Sequence, residues 1–297
     1  MLSSCRALRQ NSRIALRMLR QGALATRNCS AKAANGHSSH GSPDKEKGSG
    51  ETHFGFSRVP MSEKQGLVGR VFGSVAPSYD VMNDAMSLGV HRLWKSAFVA
   101  DMAPTRGMRI LDCAGGTADI AFRVAARTGG TAPVVVADIN PKMLEVGQKR
   151  AREASIGEKA VRFVEANAES LPFPDGEFDV YAISFGMRNV PQVDRALAEA
   201  FRVLKKGGRF MMLEFAKVDN PPAAAFYDAY SFKVIPAIGK YIAGDEAAYR
   251  YLVESIRQFP AQDEFVSMMK DAGFVNNTVT DYSLGITATY SGFKPAS

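Results

Sequence analysis

The chain of 297 residues is 46% hydrophobic and 23% charged, proportions of a folded globular protein rather than a disordered or fibrous one. No apolar run approaches the ~18 residues that a membrane-crossing helix needs. The net charge of +7 does not signal a nucleic-acid surface: no acidic residue precedes Asp44, and without Arg6, Arg9, Arg13, Arg17, Arg20, Arg27 and Lys32 the 37 basic residues fall to 30, against 30 acidic.

In that first segment Arg6, Arg9, Arg13, Arg17 and Arg20 recur at helical spacing, with Leu8, Ala15, Met18 and Leu19 on the opposite face. An acid-free, Arg-rich, Ser-containing amphipathic start has the composition of a mitochondrial transit peptide, expected over residues 1–43. A structureless basic tail is the plainer alternative. Residues 44–60 extend a polar, Gly/Ser-rich stretch and read as a flexible linker. Cys5 and Cys29 lie in the leader, so Cys113 alone serves the folded part, with no disulfide and no zinc cage. His91 is the only histidine beyond residue 60, which argues against a Ser-His-Asp triad or a His-rich metal site.

Residues 61–103 read as short helices broken near Pro77 and Gly89, a cover for the domain after them. Within them "YDVMNDAMSLGVHRLW", Tyr79 to Trp94, holds the sole tryptophan beside a Ser, a Gly and the His. Strand and helix signals then alternate: "MRILDCA", a helix over 117–127, "PVVVADI", a helix over 141–154, "VRFVEA", "FDVYAIS", a helix over 191–204, and "GRFMMLEF". Pro141 and Pro191 favour helix starts, and Gly207-Gly208 reads as a helix stop before the next strand. Residues 219–259 are too long for a connection and too aromatic for a linker, so they read as a helical insertion. A helix over 262–272 and two strands, "FVNNTVTDY" and "GITATYSGF", close the chain. These βα units predict an α/β fold with a mostly parallel, doubly wound sheet, one domain over 61–297.

A ligand of such a sheet sits beyond the carboxyl ends of its strands. Four stretches fall there. "LDCAGGTADIAF" brings Gly115 and Gly116, which let backbone approach a ligand, and Thr117 near a helix start. Asp138 ends the second strand, where a carboxylate accepts ribose hydroxyls and repels a 2′-phosphate, while Asn140 is the better helix cap. Asn167 and Ala168 follow the third strand; Ser184, then Gly186 and Arg188, follow the fourth. The first turn lacks the G-x-G-x-x-G spacing of dinucleotide sites, so S-adenosylmethionine fits this adenosine pocket better than NAD.

"YDVMNDAMSLGVHRLW", "LDCAGGTADI", "VADINPKML", "ANAESLPFPD", "SFGMRNV", "RVLKKGGRF" and "YRYLVESIRQFP" occur in the order of one family. Over residues 66–294 the chain resembles the ubiquinone/menaquinone biosynthesis C-methyltransferases. The resemblance implies the class I S-adenosylmethionine-dependent methyltransferase fold, a Rossmann-like seven-stranded sheet with one antiparallel strand at its end. It implies cofactor contacts at Thr117, Asp138, Asn167, Ala168 and Ser184, and an N-terminal segment lying over the pocket. Ala118 stands where the family usually has Gly, and its methyl is expected to crowd the methionine end of the cofactor. Lys206, Ala216 and Gly244 are further departures.

The implied reaction methylates a ring carbon of a methoxy-benzoquinol bearing a polyprenyl tail, in ubiquinone (coenzyme Q) biosynthesis. Such chemistry needs charge stabilisation on a phenolate oxygen and a base for a ring proton. Arg188 suits the first task, its structural alternative being an ion pair with Asp194. Tyr79 suits ring orientation or proton relay and Asp80 the base, the alternative for Asp80 and Ser87 being helix caps and for Trp94 the core. His91 serves equally as proton carrier or as a structural hydrogen bond. The insertion, with Phe226, Tyr230 and Tyr241, is expected to meet the tail at a membrane, or else to pack in a homodimer or the core. The implied setting is the matrix side of the mitochondrial inner membrane, as a peripheral protein among other coenzyme Q biosynthesis proteins. A scaffold subunit without strong catalysis is the competing class, suggested by Ala118, and an NAD-linked oxidoreductase the third.

Overall fold

Neighbouring strand residues point to opposite faces, and here both faces are apolar. Tyr181, Ile183, Phe210 and Met212 enter one core, whereas Val180, Ala182, Met211 and Leu213, between them in sequence, enter the other. A sheet buried on both sides must have helices on both. Each fully buried large side chain contributes about 2 kcal/mol of burial free energy, so this double patterning selects the architecture.

The computed structural model describes residues 27–28, 50–76, 79–218 and 246–297. The chain contributes a two-residue strand, β1 (Arg27–Asn28), a hairpin of β2 (Glu51–Phe54) and β3 (Ser57–Pro60), and three helices, α1 (Met61–Val75), α2 (Tyr79–Ser87) and α3 (Val90–Met102). Strand and helix then alternate: β4 (Ile110–Cys113), α4 (Asp119–Thr128), β5 (Val134–Asp138), α5 (Pro141–Glu153) and β6 (Val161–Glu165). β7 (Phe178–Ser184), α6 (Val193–Val203) and β8 (Leu204–Phe215) continue, and α7 (Glu246–Gln258), α8 (Gln262–Asp271), β9 (Val275–Tyr282) and β10 (Thr287–Phe293) finish the fold.

The sheet runs in the order β6-β5-β4-β7-β8-β10-β9-β1. β4 pairs in parallel with β5 on one side and β7 on the other, so the strand order reverses between β4 and β7. Helices α3, α4 and α5 cover one face, and α6 and α8 the other.

Four details differ from the sequence-based expectation. The antiparallel strand, β10, is last in the chain but lies inside the sheet, bonded to both β8 and β9. Its first six residues are buried, which suits an interior place rather than the end of the sheet. An eighth strand, β1, adds to the edge beside β9. The expected linker becomes the β2–β3 hairpin from residue 51: Phe54 stacks on Tyr251 at 4.3 Å, and the Phe56 N–H donates to Glu254 Oε2 at 3.0 Å. Gly207-Gly208 stops no helix, because α6 ends at Val203 and β8 starts at once. The pairing instead jumps from Leu204 to Arg209 against β7, leaving the glycines in a bulge.

Candidate active site

At the β4/β7 reversal, loops from β4, β5, β6 and β7 enclose one crevice. Gly115, Gly116, Thr117, Asp138, Asn167, Ala168 and Ser184 all line it. Gly116 adopts φ +51°, and a methyl there would come within 3.0 Å of Met143 Cε. Its N–H donates to Asp138 Oδ2 at 2.9 Å, while the Asn140 N–H donates to Asp138 Oδ1 at 2.8 Å. Two turns thus fix the carboxylate and leave each oxygen a further lone pair. Burial raises the Asp138 carboxyl above its ordinary range, opposed by these N–H bonds. Asn140 caps α5, accepting from the Lys142 N–H at 3.0 Å, so Asp138 is not needed as a cap.

Asp112, which the strand pattern alone did not single out, is fully buried in β4 beneath this crevice. Neither carboxylate oxygen has a hydrogen-bond partner among the described residues. Burial pushes its carboxyl up to about 7, tempered by the Ala121 N–H. The available signal was an acid inside an apolar strand, "ILDC". Ser184 Oγ is likewise buried and unpartnered among the described residues. Asp119, at the start of α4, also lines the crevice and accepts from Lys95 Nζ at 2.8 Å. Burial would raise Asp119, but the nearby Lys95 ammonium holds it below the ordinary carboxylate range.

A larger cavity of 370 Å³ adjoins the crevice, more than twice the ~150 Å³ that admits a benzene ring. Phe72, Tyr79, Lys95 and Phe185 line both spaces, so they form the boundary. The cavity wall comes from α1, α2, α3, α7, the end of β8 and the loops after β7 and β9. Arg188 lines it, buried in a one-turn helix, Met187–Asn189. Its partner is Glu214 of β8, not Asp194: Nη1 donates to Glu214 Oε1 at 2.9 Å, with the two side chains 3% and 0% exposed. Asp194 was plausible only from nearness in sequence, whereas β7–β8 pairing brings Glu214 to the same strand ends. Arg188 Nε stays buried with no partner among the described residues.

The segment Tyr79–Trp94 is two helices joined at Leu88 (φ +50°) and Gly89 (φ +76°). Trp94 packs against Phe185 and Phe215, and its indole N–H donates to Ser283 Oγ at 2.9 Å. Trp94 is therefore core, at the cavity wall. Ser87 Oγ donates to Asn83 O at 2.7 Å and accepts from the His91 N–H at 3.3 Å. Asp80 is the second residue of α2, and its side chain lies outside the described residues. So do Phe226, Tyr230 and Tyr241 of the expected insertion, of which α7 is described.

Ala118 occupies a left-handed conformation, φ +67°, which explains a family preference for Gly there. Its methyl is fully buried in the core with Ile120, Ala121 and Val124 and does not line the crevice. The expected crowding is absent, and with it the feature that suggested a scaffold subunit.

The fold and crevice define a class I S-adenosylmethionine-dependent methyltransferase. Solved structures of that class superimpose on the chain. A Thermotoga maritima SAM-dependent methyltransferase matches 76% of this chain and 98% of its own with a TM-score of 0.53 at 19% identity. A Haemonchus contortus phosphoethanolamine N-methyltransferase 2 matches 68% and 52% with a TM-score of 0.50 at 16% identity. At these identities the likeness shows the fold. The family model for the ubiE/COQ5 methyltransferase family matches residues 60–294. The chain is 55% identical over 247 residues to the ubiquinone/menaquinone biosynthesis C-methyltransferase UbiE of Methylobacterium nodulans, covering 82% of this chain and 97% of that one. It is 54% identical over 250 residues to the UbiE of Rhizobium meliloti, covering 84% and 96%. The chain belongs to the ubiE/COQ5 methyltransferase family and is an S-adenosylmethionine-dependent C-methyltransferase.

The residues present fit that cofactor. Asp112 offers an unpaired carboxyl where an amino group would be satisfied, and Asp138 offers free lone pairs to a diol. Ile139, Met143 and Ala168 supply apolar surface for a purine.

Proposed function

We propose that this enzyme methylates a ring carbon of a polyprenyl methoxy-benzoquinol in ubiquinone biosynthesis. The observation that carries the reading is an apolar cavity, large enough for an aromatic ring, that shares Phe72, Tyr79, Lys95 and Phe185 with the cofactor crevice. A hydride-transferring oxidoreductase has no such support, because the crevice turn lacks the dinucleotide glycine spacing.

Bound, S-adenosylmethionine supplies an electrophilic methyl on a sulfonium sulfur. Asp112, Gly116, Thr117, Asp138, Asn167, Ala168 and Ser184 would hold it. Phe72 and Phe185 exclude water and hold the aromatic ring against the crevice. Arg188 lines the cavity and its buried Nε–H is unspent, so the guanidinium suits an oxygen that gains negative charge as the ring carbon attacks. Glu214 fixes the guanidinium and prevents it from swinging away. Tyr79, at the boundary, orients the ring or relays a proton.

The polyprenyl tail is water-insoluble, so the substrate must arrive from a membrane. Leu88, 81% exposed, lines the cavity, and Leu284, 79% exposed, neighbours the lining residue Ser283. An apolar rim supports peripheral membrane contact with tail passage beside it. Among the described residues no helix is long and apolar enough to cross a membrane. The acid-free, Arg-rich first segment lies outside the family match, which starts at residue 60, and supports mitochondrial targeting. The matrix side of the inner membrane, among other coenzyme Q biosynthesis proteins, is the setting this implies.

The test supplies the full chain with methyl-labelled S-adenosylmethionine and a short-tailed methoxybenzoquinol kept reduced. Label on a ring carbon is the expected product. Label on oxygen alone would overturn the ring-carbon assignment.

A further inference from the structure

We propose that His91 is the base that takes a hydroxyl proton from the ring bound in the cavity, held in position by Asp84 and Arg92. The proposal rests on the ring-methylation reading above and names the proton acceptor for it.

His91 sits in the first turn of α3, is 5% exposed, and lines the cavity. Its Nε2 lies 2.8 Å from Asp84 Oδ1 on α2. Arg92 grips the same carboxylate at both oxygens, Nε to Oδ1 and Nη2 to Oδ2, each at 2.6 Å. Arg92 and then His91 hold the Asp84 carboxyl well below the usual range, so it stays an acceptor. A nitrogen bonded to a carboxylate must carry the proton, which leaves the lone pair on Nδ1. Nδ1 is buried and has no partner among the described residues. Burial lowers the His91 pKa against the opposing pull of Asp84, so the ring stays neutral and able to accept.

The other charged groups around it are already engaged. Lys95 and Asp119 pair at 2.8 Å, and Arg188 pairs with Glu214. Tyr251 donates to Asn189 Oδ1 at 3.0 Å, its hydroxyl pushed up to about 12 by burial. Among the described residues lining this cavity, His91 alone combines a basic lone pair with no partner.

Atoms and electrons balance in three steps. A ring hydroxyl gives its proton to Nδ1, and the oxygen lone pair drives the ring carbon onto the donor methyl. The new C–C bond forms as the C–S bond breaks, with that electron pair going to sulfur. The substituted carbon then loses its C–H proton to solvent, and the imidazolium returns its proton to the oxygen. Asp84 and Arg92 are positioning residues.

The test pairs ring-nitrogen NMR with turnover, on the full chain labelled at histidine. His91→Gln identifies the His91 signals by their loss; its amide N–H keeps the donor to Asp84 while the base is removed. The expected wild-type spectrum shows a neutral Nε2–H ring whose Nδ1 signal moves when reduced short-tailed methoxybenzoquinol is added. His91→Gln should lower kcat by about 10²-fold or more, with S-adenosylhomocysteine affinity unchanged. It should also abolish the acidic limb of the pH–kcat profile, and Asp84→Asn should shift that limb. An Nδ1–H ring, or a His91→Gln enzyme within about threefold of wild type with the same limb, overturns the proposal. Label on oxygen, with the NMR and pH results intact, would sink the ring-carbon reading and leave His91 as the base.

Discussion

The crevice and the cavity are neighbours that share four residues, yet they are built by different means. The floor of the crevice is made of loops leaving the carboxyl ends of parallel strands, with only one side from α1, α2 and α3, and Asp138 and Asn167 are held there by backbone N–H groups. The cavity is walled by helices α1, α2, α3 and α7, which come from opposite ends of the chain, and its charges are held by partners distant in sequence. Local turns prepare the cofactor's place. Docking of separate helices prepares the place for the ring. Specificity for a ring can therefore vary by repacking helices while the cofactor site stays as it is.

The largest test of this contrast is Arg188→Ala. It leaves Glu214 buried and unpaired, and loss of one partner of a buried ion pair costs about 3–5 kcal/mol, to be read by urea unfolding. The double variant Arg188→Met, Glu214→Leu should recover most of that stability while kcat stays depressed by about 10²-fold. Recovery of turnover in the double variant would reduce Arg188 to a structural role and take the cavity's polar chemistry with it.

A smaller effect separates the crevice. With a folded pKa of about 7 against ~3.9 unfolded, Asp112 keeps its proton longest in the folded state. Its favourable contribution is complete below the unfolded value and is lost as pH rises through the folded one, on the order of 4 kcal/mol in all. Asp112→Asn should thus raise the melting temperature of the cofactor-free protein more at pH 8 than at pH 5, and weaken S-adenosylmethionine binding about tenfold or more. Equal gains at both pH values would show that the carboxyl is not desolvated as the structure has it.

The smallest effect belongs to Ala118→Gly. Relief of the left-handed strain is worth ~1–2 kcal/mol, offset by the lost methyl burial and by the freer unfolded chain. Net stability should change by about 1 kcal/mol or less. Calorimetry should find S-adenosylmethionine affinity within about threefold of wild type. A large gain in affinity would return Ala118 to the crevice.

Much of this molecule was legible because its signals are local. Short apolar runs alternating with helical stretches marked β4, β5, β7 and β8, Pro141 marked the start of α5, and strand-end positions nominated Gly116, Asp138 and Ser184. Asp112 escaped because an acid inside an apolar strand, visible in "ILDC", does not by itself show whether the fold buries it without a partner. Asp194 was the wrong partner for Arg188 because nearness along the chain says little about which carboxylate shares a strand end.

By itself, then, the sequence determined the order of strands and helices, the family, and the crevice loops, since each depends on residues within a few positions of one another. Only the tertiary structure decided that β10 inserts between β8 and β9, that Glu214 faces Arg188, and that His91 meets Asp84 beside an apolar cavity. Those outcomes depend on how whole helices and strands pack, where burial, charge and shape across the fold outweigh any local preference.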